Sequence, residues 1–221
     1  MSKFDYLENK FLEHITGTAY TAPTMWVGLS STIPNENGTN ITEPSGGGYA
    51  RVTTAAKWGS VTSGSVSNNA DITFPESTGT WGSEITHFIL FDASTAGNAL
   101  RFEWLGRTSG SDKFFNPSDV NTTTNRITLT SHGYVNNDQV VFGVNSGSTL
   151  SSGLTANTRY HVKVIDANTI ELYSDVALTT IIDITSTGSG TQFLFKIQPR
   201  TVNASGITLR FATGSLILTE N

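Results

Sequence analysis

Four histidines, His14, His87, His132 and His161, are the side chains of this sequence best suited to bind a metal or move a proton. There is no cysteine, so disulfides and thiol chemistry are excluded, and a metal site would have to be built from imidazoles and carboxylates. No two histidines stand at a ligand spacing such as H-x-x-x-H. His14 falls on the polar flank of an expected helix, His132 in a turn before Gly133, and His161 on the polar face of an expected hairpin. His87 and Asp92 share a strand-like segment, but an odd separation puts them on opposite faces of a continuous strand.

Polysaccharide hydrolysis needs two carboxylates a few ångströms apart, one with a raised pKa. The candidates are Glu84, Asp92, Glu103, Asp166 and Glu171. Asp166 reads as a turn residue, Glu171 has a ready partner in Lys163, and Glu84 and Asp92 flank strand ends. Glu103 alone sits mid-strand, sharing a face with Arg101 and Leu105. Nothing in the spacing pairs these groups. No Gly-x-Ser-x-Gly stands at a strand-to-helix turn with an acid and a histidine to follow. Gly46-Gly47-Gly48 is succeeded by the strand-like Tyr49-Ala50-Arg51-Val52, without the Gly-Lys-Ser/Thr ending and helix that a phosphate loop requires. It reads as a tight loop feeding a strand. The expectation is a non-enzymatic protein with no catalytic residue, no cofactor and no metal.

The elements that would carry these residues are short. Phe4, Leu7, Phe11, Leu12 and Ile15 recur on one face of a helix, with Glu8, Asn9, Lys10 and Glu13 opposite. Ser2 with Asp5 resembles a capping box, and Gly17 is a fitting terminator. This stripe is the candidate interface: it either packs on its own domain or docks on another subunit. Strands are expected over Met25–Leu29, Tyr49–Thr53, Ala70–Phe74, Ile85–Phe91, Leu100–Leu105, Ile207–Phe211 and Leu216–Leu218, with Ser63, Ser65 and Ser67 in a loop. Trp26, Trp58, Trp81 and Trp104 lie in or beside strands and read as core or subunit interface rather than sugar-stacking platforms.

Residues 108–120 are polar, contain glycine and include Asn116-Pro117, which marks a boundary. Beyond it come strands at Arg126–Leu129, Gln139–Phe142, Ile181–Ile184 and Gln192–Ile197. Tyr160–Tyr173 reads as a hairpin with the loop Asp166-Ala167-Asn168. It would pair Val164 with Ile170 and Val162 with Leu172 on one face, and Lys163 with Glu171 and His161 with Tyr173 on the other. Asn168 would take the left-handed conformation of that loop. The result is a small barrel or sandwich of five or six strands.

Charged residues make up 14% of the chain, against about 25% in an ordinary domain. Hydroxyls and amides therefore carry much of the surface. The net charge is −5 and basic residues are scattered, so no footprint for nucleic acid is present. Apolar runs such as Phe88–Phe91 are far too short to insert in a membrane. The first residues lack a signal peptide's apolar core, which leads us to expect a protein that stays in the cytosol or leaves by lysis or in a particle.

An ordered set of segments runs through the chain: Leu7–His14 into Gly17–Pro23, Val27–Ser30, Thr42–Val52 around the glycine run, Ile72–Pro75, Gly79–Gly82, Ile85–Ala93, and the closing Pro199–Gly206 with Leu209–Phe211. This set resembles small tailed-phage virion proteins labelled tail fibre or minor structural proteins, over residues 1–107 and 196–221. The intervening stretch, with Asn125–Leu129, Ser131–Tyr134, Gly153–Thr155, Thr158–Tyr160, Val164–Leu172 and Gly188–Thr191, resembles a second module of phage and surface proteins. The resemblance implies a discontinuous, β-sandwich-like virion domain (1–118 and 196–221) carrying the N-terminal amphipathic helix. An inserted small β-barrel or sandwich module would occupy 119–195. It also implies an all-β tail- or fibre-associated surface subunit, located in the virion and assembled in the host cytoplasm. Its partners would be other virion proteins, further copies of itself as a homo-oligomer, and a host-surface glycan. The alternatives are a capsid cement or decoration protein, a carbohydrate-binding host-recognition module, or an enzyme acting on surface polysaccharide.

Overall fold

The computed structural model describes residues 2–107 and 110–219. Residues 108 and 109, at the start of the expected boundary, lie outside the described residues. The protein is all-β, with one α-helix among the described residues. The chain divides into two compact units, Met1–Leu105 with Pro199–Asn221, and Gly106–Gln198.

The first unit begins with β1 (Ser2–Lys3), α1 (Asp5–Ile15), β2 (Trp26–Ser30), β3 (Val52–Thr53), β4 (Ser65–Ser67), β5 (Ile72–Thr73), β6 (His87–Phe91) and β7 (Ala99–Trp104). The second contains β8 (Lys113–Phe115), β9 (Val120–Asn121), β10 (Arg126–Thr128), β11 (Gln139–Val144), β12 (Arg159–Asp166), β13 (Thr169–Tyr173) and β14 (Gln192–Ile197). The chain then returns to the first unit with β15 (Arg210–Phe211) and β16 (Ile217–Thr219).

In the first unit an antiparallel sheet runs in the order β1-β7-β6-β2-β3. Its central strand β6 is buried at every position. Phe88 and Leu90 enter a cluster with Val27, Leu29, Phe74 and Trp81, whereas Ile89 and Phe91 enter another with Phe4 and Ala99. Successive side chains point to opposite faces. A strand covered on both faces therefore reads as a continuous apolar run rather than an alternation. Two further pairs, β15 with β5 and β16 with β4, bring the closing segment back. They place Ile72, Val202 and Leu216 in the same cluster as Phe88 and Leu90, which completes a sandwich-like arrangement. Ser65 and Ser67 belong to a strand here rather than a loop, because the segment that pairs with them lies some 150 residues further along, at Ile217–Thr219.

The expected Ser2/Asp5 capping box does not form. Ser2 and Lys3 pair instead with Phe102 and Arg101 of β7, and Phe4 becomes the helix N-cap without a side-chain cap. The exposed N–H groups find backbone acceptors: Phe4 N donates to Leu100 O and Asp5 N to Glu36 O, both at 3.0 Å. The C-terminus follows expectation. Gly17 has φ +102°, its N–H bonds His14 O at 3.2 Å, and Thr18 N–H bonds Glu13 O at 2.8 Å. These are the two bonds of a Schellman motif, whose left-handed position favours glycine.

The second unit is one seven-stranded antiparallel sheet in the order β8-β14-β11-β12-β13-β10-β9. Its edge strands β8 and β9 are joined only by the 3-10 turn Pro117–Asp119. Laid flat, seven strands spaced about 4.8 Å apart would hold their edges about 29 Å apart. The five-residue step from Phe115 to Val120 spans about 18 Å at most. The sheet must therefore curl, and the curl encloses Phe115, Ile127, Val140, Phe142, Tyr160, Val162, Ile170 and Leu194. The unit begins at Gly106 rather than 119 because β8 pairs with β14 across the expected boundary.

The β12–β13 hairpin has the expected register: Val164 faces Ile170, Val162 faces Leu172, Lys163 faces Glu171 and His161 faces Tyr173. Its tip differs. Asp166 pairs with Thr169, a register shift falls between Val164 and Asp166, and Asn168 has no positive φ. A bulge at Ile165 absorbs the extra residue, so Asn168 need not turn left-handed. Its Oδ1 instead accepts Ser131 N–H at 2.8 Å. Ile181–Ile184 forms no strand and makes a single bridge, Tyr173 to Ile181.

Candidate interface surfaces

The four histidines are dispersed. His14 is exposed on α1. His87 is fully buried, its ring 4.0 Å from that of Trp104 and its Nδ1 2.8 Å from Thr86 Oγ1. His161 lies across from Tyr173. His132 clamps a turn: its Nδ1 accepts Tyr134 N–H at 2.9 Å, which puts the proton on Nε2, 2.9 Å from Asp166 O. Among the described residues, no three His, Asp or Glu side chains are grouped to hold a metal ion.

The best-connected carboxylates serve the sheets. Glu171 takes Arg126 Nε at 3.0 Å and Tyr173 OH at 3.0 Å, with Lys163 Nζ at 3.5 Å. The Lys163 partnership expected from the hairpin register is present, but Arg126 on β10 is closer. Glu43 carries a network that the sequence did not suggest. Arg51 grips it through Nε and Nη2 (3.0 and 2.6 Å), and Tyr49 OH donates to it at 2.7 Å. The same guanidinium lies 3.3 Å above the Phe91 ring and donates to Ala93 O and Ala96 O at 3.0 and 2.7 Å. It thereby pins the β6–β7 loop. Gly28 makes room for this network, since a Cβ there would sit 2.8 Å from Glu43 Oε1 and 2.7 Å from the Phe91 ring. Glu43 and Arg51 are eight residues apart in irregular chain, and only the folded path brings them together.

These ion pairs set a pH dependence. Burial pushes the Glu171 carboxyl up, but hydrogen bonds from Arg126 and Tyr173 and the nearby positive charges outweigh it and hold the group below its ordinary value. Asp71 is lowered by hydrogen bonds from Thr213 and by Arg210, and Asp175 by the N–H groups of Thr180 and Thr179. A carboxyl depressed in the folded state adds stability above its unfolded pKa of about 4 and loses it as pH falls through the folded value. The melting temperature is therefore expected to hold near neutrality and fall as pH drops below about 4. A melting temperature that rises between pH 5 and pH 3 would contradict this account.

The apolar helix stripe is split in two. Phe4 is 1% exposed and Leu7 is half-buried, and both pack within the first unit. Phe11, Leu12 and Ile15 are 59%, 56% and 62% exposed. The tryptophans pack: Trp81 and Trp104 are buried, and Trp26 and Trp58 are partly buried against the first unit's clusters. The aromatic rings left most open are phenylalanines, Phe11 on α1 and Phe114 on the edge strand β8. Phe114 lies 5.9 Å from Phe193, which lies 6.4 Å from Phe195, and Arg107 covers Phe195 at 4.0 Å.

The histidines are dispersed, the best-connected carboxylates Glu43 and Glu171 are held in ion pairs, and one end of the helix is open and apolar. Residues 2–130 match the model of the family described as Podophage GP4 fiber I protein gp80. The chain belongs to this family. Membership in this fibre family marks it as a bacteriophage structural protein, part of the virion and associated with other virion proteins. A fibre family also points to a non-enzymatic role. The fibre match extends past the first unit into the second and takes in β8, β9 and β10. The closing segment 196–221, which shared in the sequence resemblance, falls outside the matched stretch, although β15 and β16 pair with strands inside it. No curated protein matches the chain.

Proposed function

We propose that this fibre-family protein is a tail- or fibre-associated surface subunit that assembles as a symmetric homo-oligomer, with residues 106–198 as an inserted module available for host contact. The observation that carries the assembly reading is the exposed end of α1. Three large apolar side chains, Phe11, Leu12 and Ile15, each more than half exposed on one helix, are worth covering at about 25 cal/mol per Å² of apolar surface removed from water. A second copy related by symmetry offers the same stripe in return, and a self-complementary patch closes without leaving free ends. Phe4 and Leu7, on the same sequence stripe, are already engaged in their own unit and anchor the helix rather than the partner.

Phe11→Asp with Ile15→Asp is expected to convert the oligomer to monomer in sedimentation velocity. The double variant should stay folded, with the wild-type far-UV circular dichroism spectrum, because both positions are exposed within the single chain. A wild-type chain that is already monomeric at micromolar concentration, or a double variant of unchanged mass, would remove the stripe from the assembly. Quantitative mass spectrometry of purified particles then places the subunit. Copies amounting to a small fraction of the major capsid protein support a fibre or tail component. Copies comparable to it would make the chain a capsid cement, and absence would overturn the virion role.

A further inference from the structure

We propose that the outer face of the second unit's sheet, at its β8 edge, is a carbohydrate-binding platform on which a neutral pyranose of a bacterial surface polysaccharide stacks against Phe114 and Phe193. This deepens the host-contact part of the reading above and rests on the chain being displayed on a fibre.

The platform follows from register. β8 pairs with β14 so that Phe114 stands opposite Phe193, and β14 pairs with β11 so that Phe193 stands opposite Gly143. These three positions share the face opposite Phe115 and Phe142, which are both in the core. A Cβ at Gly143 would lie 2.4 Å from the Phe193 ring. The missing side chain lets that ring lie down on the sheet, where its centroid comes within 5.9 Å of Phe114. Phe114 is 58% exposed.

Two residues along the same face, the next row is Asn116, Thr191 and Asn145. Thr191 Oγ1 bonds Asn116 Oδ1 at 3.3 Å, and Asn145 N–H bonds Thr191 O at 3.2 Å. The two rings are tilted 51° to each other, so Phe114 offers the open face and the partly buried Phe193 walls it; with amides and a hydroxyl alongside, this matches the two sides of a pyranose, an apolar C–H face and a rim of hydroxyls. On the other side, Arg107 and Asp112 are paired at 2.9 Å and that arginine is stacked on Phe195, while the Asp119 carboxylate accepts Asn116 N–H at 2.8 Å. The site therefore favours a neutral sugar over an acidic one.

A second copy of the chain fits this edge poorly. β8 is three residues long, begins with Lys113 and is followed by Pro117 two residues after its end, all features that block strand addition.

The test uses the full chain on an immobilised panel of neutral and acidic bacterial lipopolysaccharide and capsular polysaccharides. Saturable binding to neutral members is expected, insensitive to 0.5 M salt. Phe114→Ala should weaken it by about tenfold or more, while Phe114→Tyr should stay within about threefold. Both variants should keep the wild-type melting temperature and oligomeric mass. No binding across the panel, or binding that Phe114→Ala leaves intact, overturns the proposal. So does a loss of oligomeric mass in Phe114→Ala, which would make a second copy the occupant. Particles carrying Phe114→Ala separate the two readings. Normal incorporation with reduced adsorption supports the platform, and normal incorporation with normal adsorption defeats the platform alone. Absence of even the wild-type chain from particles defeats the fibre placement itself.

Discussion

Trp81→Ala should destabilise the first unit by about 3–5 kcal/mol, the cost of emptying a large aromatic site in a packed core. The side chain is 1% exposed and meets Tyr49 and Phe74 edge-on, at ring distances of 5.3 and 6.2 Å. Its indole N–H donates to Gly47 O at 2.9 Å, and its backbone N–H donates to Val202 O at 2.9 Å. Truncation also removes one of the two donors to the Gly47 carbonyl, which keeps the Thr78 N–H at 2.9 Å. Within the glycine run, Gly47 makes room for this contact. Gly47 has φ +54°, and a Cβ there would lie 2.6 Å from Gly79 O and 2.7 Å from the Trp81 ring. Thermal unfolding should show a drop on the order of 10 °C or more for a unit of this size. Trp81→Phe, which keeps the ring but not the N–H, should fall between wild type and the alanine variant. A drop of only one or two degrees in the alanine variant would mean that the cluster does not hold the unit together.

Excision of residues 106–198, with Leu105 joined to Pro199 by a short glycine linker, should leave a folded first unit. The chain enters and leaves the second unit at neighbouring points, for a Cβ on Gly106 would lie 2.6 Å from Gln198 N. Both flanks are held by adjacent residues of the first unit: Leu105 N–H bonds Thr86 O, and Arg200 N–H bonds Ile85 O, each at 2.9 Å. Loop closure costs little when the ends already meet. The closing strands β15 and β16 have their partners, β5 and β4, in the retained chain. Circular dichroism should report β structure with one cooperative melt. A coil spectrum would show that residues 106–198 are required for the rest to fold, and would end the insertion account.

The reach of sequence reasoning can be judged from individual elements. The β12–β13 register was legible because both strands alternate independently and agree on which face is apolar, so a slip of one residue would invert every side chain. β4 was not: Ser65-Val66-Ser67 has too few residues for a pattern, and its partner Ile217–Thr219 is remote in sequence. β8 was hidden in a polar stretch that reads as a linker, and it becomes a strand only because β14 presents a free edge to it. The helix was placed correctly, but its start was not. Strand pairing of Ser2 and Lys3 with β7 outweighs a side-chain cap worth about 1 kcal/mol.

By itself, then, the amino-acid order determined the fold class, the hairpin register and the lack of a metal-ligand spacing among the histidines. These depend on periodicity and on residue type, which are local. The tertiary structure decided which part of the helix stripe stays open, that Glu43 and Arg51 meet, and that Phe114 and Phe193 form an exposed pair over Gly143. Such features depend on which remote segments come together. The pairing of strands far apart in sequence follows from the burial of the whole core rather than from any pattern within one strand.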